Sequence, residues 1–441
     1  PYKENADSIW LSGFITPSLD GMFHVVKEMH RQECQLPLMI VGATTSRAHT
    51  AVKIDPGYEQ PVVHVKDASR AVGVSTKLLS RDLKADFARE ITEEYNTIRE
   101  RHKGKQAKTN WLSLQQAHDN RTPIDWDAYT PPVPKQPGIQ VFDDYPLDEL
   151  VDCIDWTPFF VAWELAGKFP RILDDEVVGK EARKLYDDAQ LMLKRIVDEK
   201  WFSAKGVIGL FPANSIGHDD IEVYTNEKRQ GLLMTIHSLR QQTQKPPGQA
   251  NFALADFIAP KETGLEDYFG AFAVAAGFGM EDRLEQFEKD HDDYNAIMLK
   301  ALTDRFAEAF AERMHQRIRK EFWGYAAKEE FDNEDLIAEK YQGIRPAPGY
   351  PACPDHTEKA LLWELLDVEN NTGIKITESF AMYPTAAVSG WYFSHPDSRY
   401  FGLGKINRDQ VKDYAHRKGM EVHQMERWLS PNLGYDPDDA E

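Results

Sequence analysis

The chain of 441 residues is long enough for two or three domains, and its formal net charge is −20. This acidity disfavours nucleic acid as a partner, and the 41% of hydrophobic residues exclude a disordered chain. Three scattered cysteines, no apolar run of about 18 residues and no signal peptide favour a cytoplasmic protein without disulfides or membrane spans.

Short apolar runs alternate with helical patterns over the first 80 residues. Strands are predicted at 8–13, 36–42 and 61–65, and helices at 19–31, at 46–53 and from Ala68 onward. This order is typical of βαβ units in a parallel sheet. Three strands are too few for a finished doubly wound domain, and the chain starts at Pro1 without a methionine. We therefore expect an incomplete α/β domain cut from a larger protein.

The rest of the chain reads as a linker and a larger α+β domain. A charged helical stretch runs to about residue 103, and the Pro-rich segment 130–134 follows in a region without a regular pattern. We predict a first domain over 1–103, a linker over 104–140 and a second domain over 141–441. Helical patterns are found at 182–201, 281–323 (one long helix or two) and 358–369, and strand patterns at 206–212, 221–224 and 379–401.

Small or hydroxylated residues follow each of the first three strands, at 12–16, 42–46 and 65–69. Ligands of open α/β sheets bind beyond the carboxyl ends of the strands, where glycine lets a large ligand approach the backbone. No GxGxxG motif is present, so a dinucleotide is not indicated. Ordinary loop chemistry explains the same residues, and both interpretations stand at this point.

A second candidate is the run Arg-Pro-Ala-Pro-Gly-Tyr at residues 345–350. The prolines fix the backbone, Arg345 offers a planar fork to a carboxylate, and Tyr350 supplies a flat face and a hydroxyl. The run suits a zwitterionic ligand with an aromatic ring. A surface loop between two helices is the plainer interpretation.

Several isolated acidic residues are further candidates. Asp155 stands in an apolar run, so it is either buried with a partner or used on a ligand. Glu308, Glu312 and His315 share one helical stripe, for which a solvated face is the default. Glu339 is as easily a surface residue. Cys353-Pro-Asp-His356 has the spacing of half a zinc site, but the other half is absent and a structural role is favoured. No catalytic residue and no metal ligand is predicted.

At this point long motifs resemble the cobalamin-dependent methionine synthase family. Residues 7–79 are similar to the second half of its cobalamin-binding domain, through Leu11–Leu19, Gly42–Ser46 and Ala68–Arg70. Residues 154–435 are similar to its activation domain, through Asp155–Phe160, Arg345–Asp355 and Ser389–Ser398.

The resemblance implies two ligands, cobalamin (as methylcobalamin) and S-adenosylmethionine. The implied cobalamin contacts are Ser12, Thr16, Gly42 and Ala68. The implied S-adenosylmethionine contacts are Asp155, Glu308, Glu339, Arg345, Ala347, Gly349, Tyr350 and Tyr400, with Phe401 adjacent. Family members often carry a second tyrosine at the last position, so only a stacking contact is expected from Phe401.

The resemblance also implies a function in methionine biosynthesis. The intact methyltransferase moves a methyl group from 5-methyltetrahydrofolate to homocysteine, and occasional oxidation leaves inert cob(II)alamin. This module would then supply a methyl group from S-adenosylmethionine while a flavodoxin-type protein supplies an electron. The upstream homocysteine module with its zinc, the folate module, the cobalamin cap and the cobalt-ligating Asp-x-His-x-x-Gly motif are absent from the sequence. We expect a fragment or one polypeptide of a split enzyme.

Two alternatives remain open at the level of sequence. A methyltransferase that uses S-adenosylmethionine on another substrate usually has a glycine-rich loop after its first strand, and none is found here. A non-catalytic corrinoid-binding module explains residues 8–80 but leaves 154–435 unused.

Overall fold

The computed structural model describes residues 6–13, 17–42, 45–66, 68–106 and 110–437. It divides into two compact units. Unit 1 holds the chain up to Gln116 together with 242–248 and 404–441, and unit 2 holds 117–241 and 249–403. The domain boundaries at 103 and 141 stay predictions, since the units part instead between residues 116 and 117.

Unit 1 is built on a parallel sheet in the order β1-β2-β3. Its elements before residue 110 are β1 (Ile9–Ser12), α1 (Pro17–Arg31), β2 (Leu38–Val41), α2 (Arg47–His49) with a π-helical turn (Thr50–Ile54), β3 (Val62–His64), α3 (Ala68–Leu79) and α4 (Lys84–Gln106). The apolar stripe of α1, including Met22 and Val26, packs on Leu38 and Ile40 of β2. The predicted parallel α/β arrangement is confirmed for these three strands.

Unit 2 is a mixture of helices with a six-stranded sheet in the order β11-β8-β5-β6-β7, where β4 also pairs with β5. In chain order the elements after residue 110 are α5 (Leu114–Asp119), β4 (Gly138–Phe142), α6 (Asp148–Val151), α7 (Thr157–Ala162), α8 (Gly179–Glu199), β5 (Ser203–Ile216), β6 (Asp220–Tyr224), β7 (Leu232–His237), β8 (Asp267–Phe278), α9 (Glu281–Lys289), α10 (Asp293–Arg317), α11 (Asn333–Ile337), α12 (Glu358–Leu366), α13 (Val368–Thr372), β9 (Lys375–Ile376), β10 (Met382–Tyr383) and β11 (Ala387–Tyr392). The last two helices, α14 (Arg408–Lys418) and α15 (Val422–Trp428), belong to unit 1.

Both faces of the central strands of unit 2 are buried, which places this sheet between two helical layers. Ile208 and Phe272 point into the apolar cluster that contains the core residues of α10. Their neighbours Val207 and Ala273 point into the opposite cluster with α12. Successive side chains of a strand face opposite sides, so one residue step moves from one core to the other. The predicted α+β character of this region is confirmed.

The long helical stretch at 281–323 consists of two helices. The break falls at 290–292, where Asp292 caps α10 by accepting a hydrogen bond from the backbone N–H of Asn295 at 3.1 Å. After Arg317 the helix continues as a π-helical turn to Phe322. In the part of the chain that the structure describes, no helix is long and apolar enough to cross a membrane.

Candidate functional site

The 345–350 segment begins as an extension of the sheet of unit 2. Ile344 and Phe393 exchange two backbone hydrogen bonds of 3.0 Å, and the N–H of Trp391 donates to the carbonyl of Pro346 at 2.9 Å. Proline has no N–H to offer, but its carbonyl completes the pairing. The main chain around Arg345 is therefore fixed by β11 and the residue that follows it.

The second half of the segment is a tight turn around Gly349. Its N–H donates to the carbonyl of Cys353 at 2.7 Å, and the N–H of Tyr350 donates to the carbonyl of Ala347 at 3.1 Å. Gly349 has a φ of +92°, and a Cβ built there would lie 2.3 Å from the His356 ring. The glycine is thus required both by the turn and by the imidazole beneath it.

Arg345 is held by a carboxylate that was not among the predicted ligands. Its Nη2 donates to Oε2 of Glu312 at 2.8 Å, and its backbone N–H donates to the hydroxyl of Tyr400 at 3.0 Å. Burial alone would lower the pKa of Arg345, but the adjacent Glu312 carboxylate raises it above its usual value. The guanidinium is therefore a permanent charge in a largely buried setting.

The stripe of Glu308, Glu312 and His315 on α10 is not the solvated face that the sequence suggested. Glu312 is 8% exposed and His315 is fully buried. The ring of His315 stacks on Tyr392 of β11 at 5.4 Å and meets Tyr341 edge-on at 4.8 Å. The default interpretation was wrong for these two residues because β11 and the chain before Arg345 cover the stripe.

Two more predicted ligands, Glu339 and Tyr350, lie in the electrostatic neighbourhood of Arg345. Desolvation raises the pKa of Glu339, and Arg345 opposes that shift. Desolvation and the Glu308 carboxylate raise the pKa of Tyr350, although 62% of this residue is exposed. Tyr400 thus contacts Arg345, Glu339 and Tyr350 lie within its electrostatic range, and Glu308 lies within that of Tyr350.

Asp155 and Phe401 occupy positions beside this group. Asp155 accepts the backbone N–H of Thr157 at 2.9 Å at the start of α7. The carbonyl before it accepts a hydrogen bond of 3.0 Å from Asn333 of α11, the helix that leads to Glu339. Phe401 packs against Phe252, with ring centroids 5.7 Å apart. These contacts place Asp155 beside α11, and Phe401 is partly buried against the apolar core. Within the described residues, Asp155 forms no ion pair with Arg345.

The predicted cobalamin residues that the structure describes, Ser12, Gly42 and Ala68, follow or end the strands of unit 1. Ser12 ends β1 with its side chain exposed, and Gly42 follows β2 with a φ of +114°. A Cβ on Gly42 would lie 2.2 Å from the carbonyl oxygen of Gly13, so only glycine fits between the two strand ends. Ala68 begins α3, and its side chain is not described. Thr16 lies outside the described residues.

No metal centre emerges from the half-site spacing at Cys353 and His356. Both side chains are buried, and His356 supports the turn at Gly349. Among the residues with a described placement, no group of three His, Cys, Asp or Glu side chains is arranged to hold a metal ion.

A family model and a solved structure both match this chain. A family model described as "Vitamin B12 dependent methionine synthase, activation domain" matches residues 146–419. A solved structure described as the MetH reactivation domain bound to AdoHcy is similar to this chain, with 58% sequence identity and a TM-score of 0.72. That similarity covers 74% of this chain and 100% of the solved one.

Proposed function

Since the family match spans more than half of its length, the chain belongs to the vitamin B12-dependent methionine synthase activation-domain family, and we propose that it binds S-adenosylmethionine beside Arg345. It is a reactivation module of an enzyme family of methyltransferases. The ligand would be the methyl donor of reactivation. The corrinoid-only alternative is not favoured, because it leaves the matched residues without a role.

The observation that carries the proposal is the fixed, charged Arg345. Its backbone is held through Ile344 and Pro346, and one edge of its guanidinium is bound by Glu312. Nε of Arg345 is buried and has no hydrogen-bond partner. A guanidinium in this state is a strong, oriented donor to the carboxylate of an amino-acid ligand.

Three predicted acids of unit 2 suit the positive groups of the same ligand. S-adenosylmethionine carries an ammonium and a sulfonium, and we assign Asp155, Glu308 and Glu339 to them. Desolvation raises the pKa of Glu339 because burial destabilises its ionised form. A cationic ligand group nearby would stabilise that ionised form. A neutral pocket would leave both positive charges uncompensated.

The turn would receive the adenosine part of the ligand. The N–H of Gly349 is already bound to Cys353, so the contribution of this residue would be close approach and its carbonyl. Ala347 would add main-chain contacts. The exposed ring of Tyr350 offers a stacking face, with Tyr400 and Phe401 at the border of the site.

For cobalamin, we assign Ser12, Thr16, Gly42 and Ala68 of unit 1. The described members fit a large, amide-rich ligand, because the strand ends carry an exposed hydroxyl and a glycine instead of bulky groups. Bound cobalamin would supply a nucleophilic cobalt once an external flavodoxin-type donor has reduced it. The chain's own residues would hold and orient the two ligands, and no acid or base is needed.

The complete reaction would be methyl transfer from 5-methyltetrahydrofolate to homocysteine in the cytoplasm. It would require homocysteine, folate and cobalamin-cap modules beyond this chain, with zinc in the homocysteine module. The work of this chain would be to return the oxidised cofactor to that cycle.

Calorimetric titration with S-adenosylmethionine tests the proposal. Arg345→Ala should weaken binding by about 2–4 kcal/mol, because the ligand carboxylate loses a charged partner and Glu312 is left buried and unpaired. Arg183→Ala is the matched control, since Arg183 forms an exposed ion pair elsewhere in unit 2. Equal affinities of wild type and Arg345→Ala would end the assignment.

A further inference from the structure

Glu312 is the carboxylate on which the position of Arg345 depends. Nη2 of Arg345 lies 2.8 Å from Oε2 of Glu312, and the side chains are only 21% exposed for Arg345 and 10% exposed for Glu312. Within the described residues no other carboxylate lies within ion-pair distance of Arg345. The second oxygen of Glu312, Oε1, is buried and has no hydrogen-bond partner. Glu312 therefore serves Arg345 through one oxygen and keeps acceptor capacity on the other.

The groups behind this pair cannot replace Glu312. Burial lowers the pKa of His315 well below its usual value, so this ring is neutral and brings no negative charge. Arg319 of the π-helical turn pairs with Glu329 instead, donating from Nε and Nη2 at 2.8–3.1 Å, so this glutamate is already engaged with another cation. The Tyr392 hydroxyl is buried without a partner, and Glu339 lies within electrostatic range of Arg345 but forms no ion pair with it. Loss of the Glu312 charge would thus leave Arg345 without a directly paired anion.

We propose that Glu312 is a positioning residue that acts on the ligand's carboxylate through Arg345. By binding Nη2, it fixes the plane of the guanidinium and leaves the other donors for a second carboxylate. This inference rests on the proposed binding of S-adenosylmethionine. It adds a residue and a specificity rule, namely that Glu312 matters only for ligands that carry the carboxylate.

The test uses two ligands that differ in that group alone. S-adenosylmethionine and its decarboxylated form are titrated into the full chain as wild type, Glu312→Gln, Arg345→Ala and the double variant. Glu312→Gln should weaken S-adenosylmethionine binding about tenfold or more and change the affinity for the decarboxylated ligand less than about twofold. The double variant should bind no more weakly than Arg345→Ala, because both changes remove one contact. Glu285→Gln, an exposed glutamate of α9, is the control.

Each failure has its own signature. Unchanged binding of both ligands by Arg345→Ala would refute the proposed function. A loss in Arg345→Ala with wild-type binding by Glu312→Gln would refute the role of Glu312 alone. Equal loss of both ligands in Glu312→Gln would also overturn it, since a purely structural or direct role does not select for the carboxylate.

A second variant keeps the test decisive if Glu312→Gln does not fold, as judged by thermal melting. Glu312→Asp keeps the charge but shortens the side chain by one methylene group. It should selectively weaken S-adenosylmethionine binding, and either no loss or an equal loss of both ligands would count against the proposal.

Discussion

Each of the two candidate sites depends on a glycine with positive φ, but a Cβ added to these glycines would collide with different groups. Gly42 in unit 1 would place a Cβ against the backbone of Gly13, whereas Gly349 in unit 2 would place one against the ring of His356. The Gly13 backbone is itself fixed, since its N–H donates to Val41 at 3.1 Å. A side-chain ring can rotate away. At the proposed cobalamin edge the space around Gly42 is therefore limited by main chain, whereas the space around Gly349 is limited by a side chain.

The sites also differ in charge. The described cobalamin edge presents an exposed serine and a glycine, whereas the Arg345 site contains a largely buried ion pair. Removal of one small neutral side chain costs little, but removal of one partner from a buried pair leaves an uncompensated charge. Removal of a charged side chain should consequently have its strongest effect on ligand binding in unit 2. Substitution of a glycine whose Cβ would meet the backbone should have its strongest effect on stability in unit 1.

The largest effect is expected for reactivation. In an enzyme that joins this chain to the homocysteine and folate modules and is loaded with methylcobalamin, Arg345→Ala should leave the first turnovers nearly unchanged. Those transition states do not involve Arg345. Activity should then decay, and flavodoxin, reductant and S-adenosylmethionine should not restore it. Normal recovery would separate the site from reactivation, and an immediate loss of turnover would assign Arg345 to the main cycle or to the fold.

The next effect concerns the fixed backbone of unit 1. Gly42→Ala should destabilise the protein by about 2–5 kcal/mol, because the energetic cost of the strained φ adds to that of the steric overlap with Gly13. Affinity for S-adenosylmethionine should not change. Gly21→Ala is the matched control, since Gly21 lies in α1 with open space around it. Denaturant unfolding measures the stability of the two variants. A Gly42→Ala protein as stable as Gly21→Ala would contradict the difference between the two sites.

Much of this arrangement was predictable from local patterns. The three parallel strands follow from alternating apolar runs and helices, and the α8 helix follows from its amphipathic spacing. The strand β8 was missed, although its continuous run of small apolar residues is typical of a strand buried on both faces. The residues of the 345–350 run alone suggested a zwitterionic ligand, with a surface loop as the plainer interpretation, and only the resemblance identified that ligand as S-adenosylmethionine.

The role of Glu312 was not predictable because its cause is distant in sequence. Glu312 becomes buried when residues 344–346 pair with the chain around Phe393. The local sequence pattern of α10 does not predict that pairing. One signal was available. Leu302, Phe306 and Phe310 lie on a helix that is apolar on more than one side, which is typical of a buried helix.

A smaller loss of stability is expected at Gly349 in unit 2, where an added Cβ would meet the His356 ring. Gly349→Ala should cost about 1–3 kcal/mol of stability and weaken S-adenosylmethionine binding, because the turn shifts away from His356. His356→Ala in the same protein should restore part of the affinity by removing the ring. Gly264→Ala is the control, since its φ is +72° with no atom near the added Cβ. If His356→Ala restores nothing, the ring is not what limits the turn.

The last expected effect is a pH dependence of stability beneath the same turn. Burial lowers the pKa of Lys359 to about 8 from its ordinary 10.5, and its Nζ donates to the carbonyl of Phe380 at 3.0 Å and lies 3.4 Å from Nδ1 of His356. Below pH 8 the lysine is protonated in both the folded and the unfolded chain. Between about pH 8 and 10.5 the unfolded chain binds more protons, so this group adds stability as the pH rises. The unfolding free energy of wild type relative to Lys359→Met should therefore increase by about 2–3 kcal/mol across that window. Lys375→Met, at an exposed lysine, should show no such change relative to wild type. A constant difference between wild type and Lys359→Met would mean that Lys359 keeps its proton in the folded protein, and that the side chains under Gly349 are better solvated than their burial indicates.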